Sequence, residues 1–263
     1  MLKGLTNEYR MLKNQKKTLK SARNYVNILG VRLTSTELVE VLTEISDFLH
    51  SKYKFSLFTA NPELLVMAAK DQNLKKIINS ADLVVPDGVG LKYAAKFLHK
   101  TDLNIIPGRK LFLKLLALAR RKNWKVFFLG GAGIKNITAG PRLDENGEPI
   151  SDRDRQIEIE IIQKINEVKP DFLFVGFGMP KQEKWIYKNV KKLDVKGIIA
   201  VGGTFDYVFG KASLPPKWME EAGLEWLWRL LHEPKRVFRI LNAVVIFPLK
   251  VWRSKLRLTN TNS

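Results

Sequence analysis

The sequence predicts an α/β fold built around a parallel sheet, and three observations point to it. Short apolar runs alternate with helix-periodic stretches between residues 25 and 210. Several of those runs are apolar at every position, as strands covered on both faces are. The chain, 263 residues long, 45% hydrophobic and 27% charged, can bury a sizeable core and lacks the composition of a disordered protein.

In chain order, residues 26–31 read as the first strand. Thr34 and Glu37 then have the spacing of a capping box that opens a helix running through Leu49. Strand-like runs follow at 55–59, 83–85, 126–129, 172–175 and 198–201, with helical stretches at 63–70, 90–98, 110–120, 157–168 and 181–192. Residues 140–156 (GPRLDENGEPISDRDRQ) have no apolar period and much turn chemistry, and read as a surface loop. From Pro215-Pro216 the chain turns Trp-, Arg- and Leu-rich without strands. This divides it into a basic tail over 1–24, an α/β core over 25–213 and a helical appendage with a basic end over 214–263. The stripe Trp218, Trp226, Trp228 and Leu230 reads as packing, because no nucleic-acid module surrounds it.

Charge and composition narrow the chemistry. There is no cysteine, which excludes disulfides, thiolate zinc sites and cysteine nucleophiles, and the three histidines are scattered. The formal net charge is +19. Most of that excess lies at the two ends. Residues 1–24 hold seven Lys/Arg against one Glu, and residues 229–257 hold eight against one. Such ends suit an anionic membrane surface, a nucleic acid or plain solvation. No secretory leader is expected at the N-terminus, and no apolar run is long enough to span a bilayer.

Three polar clusters directly follow strand-like runs, where open parallel sheets form ligand sites. Thr59-Ala60-Asn61-Pro62-Glu63 offers Asn61 either as a helix N-cap or as a ligand contact. Pro86-Asp87-Gly88-Val89-Gly90 offers a carboxylate that is either a turn residue or a general base. Leu129-Gly130-Gly131-Ala132-Gly133 can bring backbone N–H groups to a phosphate, as can the glycines of 176–178 and 202–203. Asp152-Arg153-Asp154 has the look of a D-x-D metal motif but lacks a preceding strand, and reads as loop. A dinucleotide-dependent oxidoreductase would need a G-x-G-x-x-G with an acidic residue about 20 positions on, which is missing. A nucleic-acid-binding protein would fit the charge but not the strand-end clusters.

The strings T-A-N-P-E at 59–63, P-D-G-V-G at 86–90, G-M-P-K-Q-E-K-W-I at 178–186, V-G-G-T-F-D at 201–206 and G-L-E-W-L-W-R-L at 223–230, with Glu233-Pro234 and Arg236-x-x-Arg239, occur in order. On them the chain resembles the WecG/TagA/CpsF glycosyltransferases (glycosyltransferase family 26) over about residues 25–247. The resemblance implies a Rossmann-like parallel-sheet core with a C-terminal helical membrane-binding appendage that completes the site. It implies inverting transfer of a sugar, N-acetylmannosamine in the best-known case, from a UDP-sugar donor to N-acetylglucosamine linked to undecaprenyl diphosphate. That reaction serves teichoic acid or other surface-polysaccharide synthesis at the inner face of the cytoplasmic membrane, with no metal and no cofactor. Partners are then the donor, the lipid-diphosphate-linked acceptor, an anionic membrane and other copies of the chain, but no nucleic acid. Residue by residue, Asp87 matches the family's proposed base and Thr59 a residue of the same pocket. Gln182 matches a donor contact, Asp206 a nucleoside contact and Arg109 an arginine of the pocket, and Arg229, Arg236 and Arg239 match appendage arginines that meet the diphosphate. Asn61, Gly130 and Gly131 are taken as substrate contacts from their strand-end clusters alone. The stretch 212–216 (ASLPP) and the loop 140–156 depart from the family pattern.

Overall fold

The computed structural model describes residues 23–51, 53–131, 133–135, 137–210, 213–222, 224–234 and 237–260. Residues 1–22 of the basic N-terminal tail therefore lie outside the described residues, as does Arg236.

The first expected strand is a hairpin. β1 (Tyr25–Ile28) pairs antiparallel with β2 (Val31–Thr34). Leu29 (φ 53°) and Gly30 (φ 86°) turn the chain between them, the left-handed pair that a two-residue hairpin needs. Gly30 is the one turn residue at this corner, and Leu29, which carries no turn signal, lets the stretch pass for one strand. The expected capping box also moves. Thr34 ends β2, and its hydroxyl accepts the Val84 N–H at 3.2 Å. The helix α1 (Leu38–His50) starts instead at Glu37, whose N–H is accepted by the Glu40 carboxylate at 3.1 Å.

The chain then alternates: β3 (Phe55–Ala60), α2 (Pro62–Lys70), α3 (Gln72–Ser80), β4 (Leu83–Pro86), α4 (Val89–His99), α5 (Gly108–Lys122), β5 (Val126–Gly130), α6 (Asp152–Val168), β6 (Phe172–Gly176), α7 (Lys181–Asn189), β7 (Gly197–Ala200) and α8 (Thr204–Val208). Helix α3 was missed in the sequence because its apolar face is only Leu74, Ile77 and Ile78. The five strands β4-β3-β7-β6-β5 form one sheet, parallel throughout. Strands β4 and β6 carry no exposed residue, because helices cover both faces. From β3 the chain moves outward to β4, then returns from the opposite edge through β5 and β6 to β7. The order therefore reverses between β3 and β7, and a crevice opens at their carboxyl ends.

The 140–156 segment is a loop only in its first part. Leu143 is buried and bridges to Pro149, and Ser151 caps α6 by accepting the Asp154 N–H at 3.1 Å. The Asp154 carboxylate is occupied, accepting from the Arg142 backbone N–H at 2.9 Å and guanidinium at 3.1 Å. The hydrogen bond donated by the Ser151 hydroxyl, followed by these Arg142 contacts, holds it down at about 2.

After Pro216 the chain is helical, as expected: α9 (Lys217–Glu221), α10 (Glu225–His232), α11 (Val237–Leu241), a π-helical turn (Asn242–Ile246) and α12 (Phe247–Asn260). Phe247 and Val251 sink into the core cluster shared with α2 and α4. The tryptophan stripe does not pack as expected. Helix α10 buries none of its residues fully, and Trp218 is exposed. Periodicity measures amphipathicity, which a helix facing a cavity shares with one facing a core.

Candidate active site

The carboxyl ends of β3, β4, β5, β6 and β7 converge on one cavity of about 1110 Å³, closed on its far side by α10 to α12. A pocket for one small ligand usually holds about 300–1,000 Å³, so this cavity lies just above that range.

Asp87 stands at the centre. It leaves β4 with its N–H bonded to Ala60 O at 2.7 Å, and Gly88 (φ 100°) then turns the chain into α4. Its Oδ2 lies 3.1 Å from where a Gly108 Cβ would stand, so any side chain there would press on the carboxylate. Burial pushes the Asp87 carboxyl above the usual carboxylate range, while the Gly108 N–H and the Arg229 guanidinium pull it partly back. The result is a carboxylate with raised proton affinity held at a cavity wall, the property a general base requires.

The strand ends supply the rest. Gly130 (φ 104°) crosses Gly176 so closely that a Cβ would meet the Gly176 carbonyl oxygen at 2.6 Å. Gly130, Gly131, Gly176 and Gly202 thus line the cavity with bare backbone. Asn61 lines it too, and its side chain caps α2 by accepting the Leu64 N–H at 2.9 Å. Asp206 lines it from the first turn of α8. Arg229 reaches in from α10, with its guanidinium 4.7 Å from the Tyr207 ring centroid.

Other expected site residues sit behind the wall. Thr59 does not line the cavity. Its hydroxyl donates to Ala200 O at 3.4 Å, and it flanks Gly108, backing Asp87 from the sheet side. Arg109 occupies the first turn of α5, half-buried and off the cavity wall. Gln182 is 1% exposed and has no face toward a donor. Its Oε1 accepts the Gly202 N–H at 3.0 Å, and its Nε2 donates to Glu183 Oε1 at 2.7 Å. It therefore shapes the cavity wall through the Gly202 turn. Arg239 lines the cavity, but its guanidinium is engaged: Nε donates to Glu63 Oε1 at 2.7 Å and Nη2 to Oε2 at 3.2 Å. Among the described residues no group of three His, Asp or Glu could hold a metal ion.

Sequence reasoning missed Glu63, Gly108, Tyr207 and Glu183. Glu63 and Glu183 were visible only as members of motifs, since a buried partner cannot be read from spacing. Glu183 is fully buried, its second oxygen has no hydrogen-bond partner among the described residues, and burial pushes its carboxyl up to about 7. The folded protein then favours the protonated acid. Below the unfolded value of 4.5 this costs nothing. The penalty grows as pH rises to about 7 and is constant above it. E183Q, which keeps the shape and the Gln182 contact, is expected to stabilise the protein at pH 8 by up to about 3 kcal/mol. The gain disappears below about pH 4.5. Thermal unfolding from pH 4.5 to 8 checks this, and an unchanged pH slope in E183Q would count against it.

Residues 26–261 match the family described as Glycosyl transferase WecG/TagA/CpsF. Two similar proteins are the N-acetylglucosaminyldiphosphoundecaprenol N-acetyl-beta-D-mannosaminyltransferases of Staphylococcus aureus strains MRSA252 and MW2. Each is 31% identical over 240 residues, covering 89% of this chain and 94% of the relative. With a match this long, and relatives 31% identical over 89% of its length, the chain belongs to the WecG/TagA/CpsF family of glycosyltransferases.

Proposed function

We propose that this enzyme moves N-acetylmannosamine from a UDP-sugar, with inversion and without a metal, to N-acetylglucosamine carried on undecaprenyl diphosphate, in teichoic acid or related surface-polysaccharide synthesis. The observation that carries the reading is the meeting of Asp87, Arg229 and four bare glycines at three strand ends in one cavity. The relatives' names supply the sugars.

In this reading the donor diphosphate lies against the glycine backbone, with Asp206 at the nucleoside. Asp87 takes the proton of the acceptor hydroxyl as that oxygen forms its bond to the anomeric carbon. The bond from that carbon to the UDP oxygen breaks on the opposite face, and UDP leaves with the electron pair. Arg229 meets the charge growing on the diphosphate, a task suited to a guanidinium because it stays charged and forks onto two oxygens. Arg236, from the same stretch of chain, is assigned the same task from the family motif alone.

The same reading places the enzyme on the inner face of the cytoplasmic membrane. No described helix is long and apolar enough to cross a bilayer. Yet Leu231, Phe238, Leu241, Val245 and Leu249 are exposed on the C-terminal helices, near Lys250, Arg253 and Lys255. Apolar side chains beside cations suit an anionic leaflet, where each nearby cation contributes about 1 kcal/mol.

The test is product formation. Incubated with a panel of UDP-sugars and a short-chain prenyl-diphosphate N-acetylglucosamine in EDTA, the protein is expected to give a product heavier by one N-acetylhexosamine, with UDP released. Transfer that stops in EDTA and returns with Mg²⁺ would overturn the metal-free mechanism. No transfer from any UDP-sugar, with or without Mg²⁺, would overturn the reaction itself.

A further inference from the structure

The cavity has a second arm that the chemistry at Asp87 does not use. Along α4, Gly90, Tyr93, Ala94 and Phe97 recur at helical spacing, and all line the cavity. Facing them, Arg239, Ala243 and Phe247 also line it, with Val251 and Trp252 further on. Helix α12 packs directly on α4, so these two rows form opposite walls of one trough. Phe247 and Val251, 2% and 5% exposed, make its floor. Its outer rim is open: Tyr93 is 67% exposed and Trp252 54%. A bare aromatic rim continuous with a catalytic cavity marks a surface that is covered in use.

From the inside outward, the cavity passes from the Asp87 carboxylate and the Arg229 guanidinium, past small Ala243, to largely apolar side chains. Lys250 and Arg253 flank Trp252 on α12. A molecule with a sugar hydroxyl at one end, a diphosphate next and a hydrocarbon chain after it matches that sequence of surfaces. We infer that the trough between α4 and α12 binds the first isoprene units of the acceptor's polyprenyl chain, with Ala94 and Ala243 leaving the space the chain fills. The inference rests on the proposed acceptor being a polyprenyl diphosphate. It adds that the protein itself, and not only the bilayer, holds the chain. The chain then fixes how far the sugar hydroxyl reaches toward Asp87.

A ladder of simple probes tests the trough by binding alone. Dimethylallyl, geranyl, farnesyl and geranylgeranyl diphosphate carry one to four isoprene units on the same head group. With the full-length protein, Kd is expected to fall roughly tenfold per added unit over the first two or three units, since each buries further hydrocarbon. In A243W the indole occupies the trough, and the ladder flattens while UDP binding changes less than about twofold. Should that variant fail to fold, the rim pair F97S and W252S is expected to make the ladder shallower. A flat ladder in the wild type, or an unchanged one in every folded variant, overturns the inference. So does a tryptophan fluorescence response to anionic vesicles that W252S abolishes, with no response to the ladder, because the face then meets the bilayer only. A steep ladder in a protein that transfers no sugar to any lipid-diphosphate acceptor leaves the trough standing and sinks the proposed reaction instead.

Discussion

Replacing Asp87 by Asn is expected to lower kcat by about 10²–10⁴ while leaving UDP affinity nearly unchanged. Asn preserves the volume and still accepts from the Gly108 N–H, so the α5 N-terminus keeps its place. Only the proton acceptor is lost. Because burial raises the Asp87 carboxyl, the acid limb of wild-type kcat/KM is expected above the ordinary carboxylate range, with activity falling as pH drops through it. That limb should vanish from the residual activity of D87N. Turnover within about threefold of wild type in D87N, measured with saturating donor and acceptor, would remove Asp87 from the role of base.

Replacing Arg239 by Ala is expected to reduce stability by about 2 kcal/mol, and Tm by about 4 °C for a chain of this size. Glu63 sits at the start of α2 with its side chain 8% exposed, and Arg239 grips both of its oxygens across 176 residues of sequence. Removing the guanidinium leaves a carboxylate that water reaches poorly. The cost stays below that of a fully buried pair because Arg239 is itself 38% exposed. The swap E63R with R239E should recover part of the lost Tm, since it restores an ion pair between α2 and α11. If R239A left Tm unchanged and only slowed turnover, Arg239 would be a diphosphate ligand as the family motif implies, and the pair with Glu63 would be incidental.

The two predictions differ in how they could be reached. Asp87 was legible in the sequence, because a carboxylate immediately after an apolar strand has few places to go in a parallel sheet. The partner of Arg239 was not legible. Nothing in the spacing of Glu63 and Arg239 says that they meet, and the motif alone assigned the arginine to a phosphate. Gln182 went the same way. Its motif placed it at the donor, whereas folding turns it inward to hold the Gly202 N–H. The hairpin at 25–34 and the helix over 72–80 escaped for a local reason: weak turn chemistry in one case, a narrow apolar face in the other.

The sequence by itself determined the alternation of strands and helices, the parallel sheet, the polar strand ends and the helical character of the C-terminal part. All of these depend on apolar period and on turn residues at short range, which are properties of neighbours along the chain. Tertiary structure alone decided which strand ends face one another across β3 and β7, and which arginine is neutralised by a buried glutamate. It also decided that the tryptophan-rich helix lines a cavity instead of a core, and that apolar side chains continue that cavity outward from Asp87. Those outcomes depend on burial and on contacts between segments more than a hundred residues apart. The energy of a charge or of an apolar face is set there by what folding brings against it, which no local pattern records.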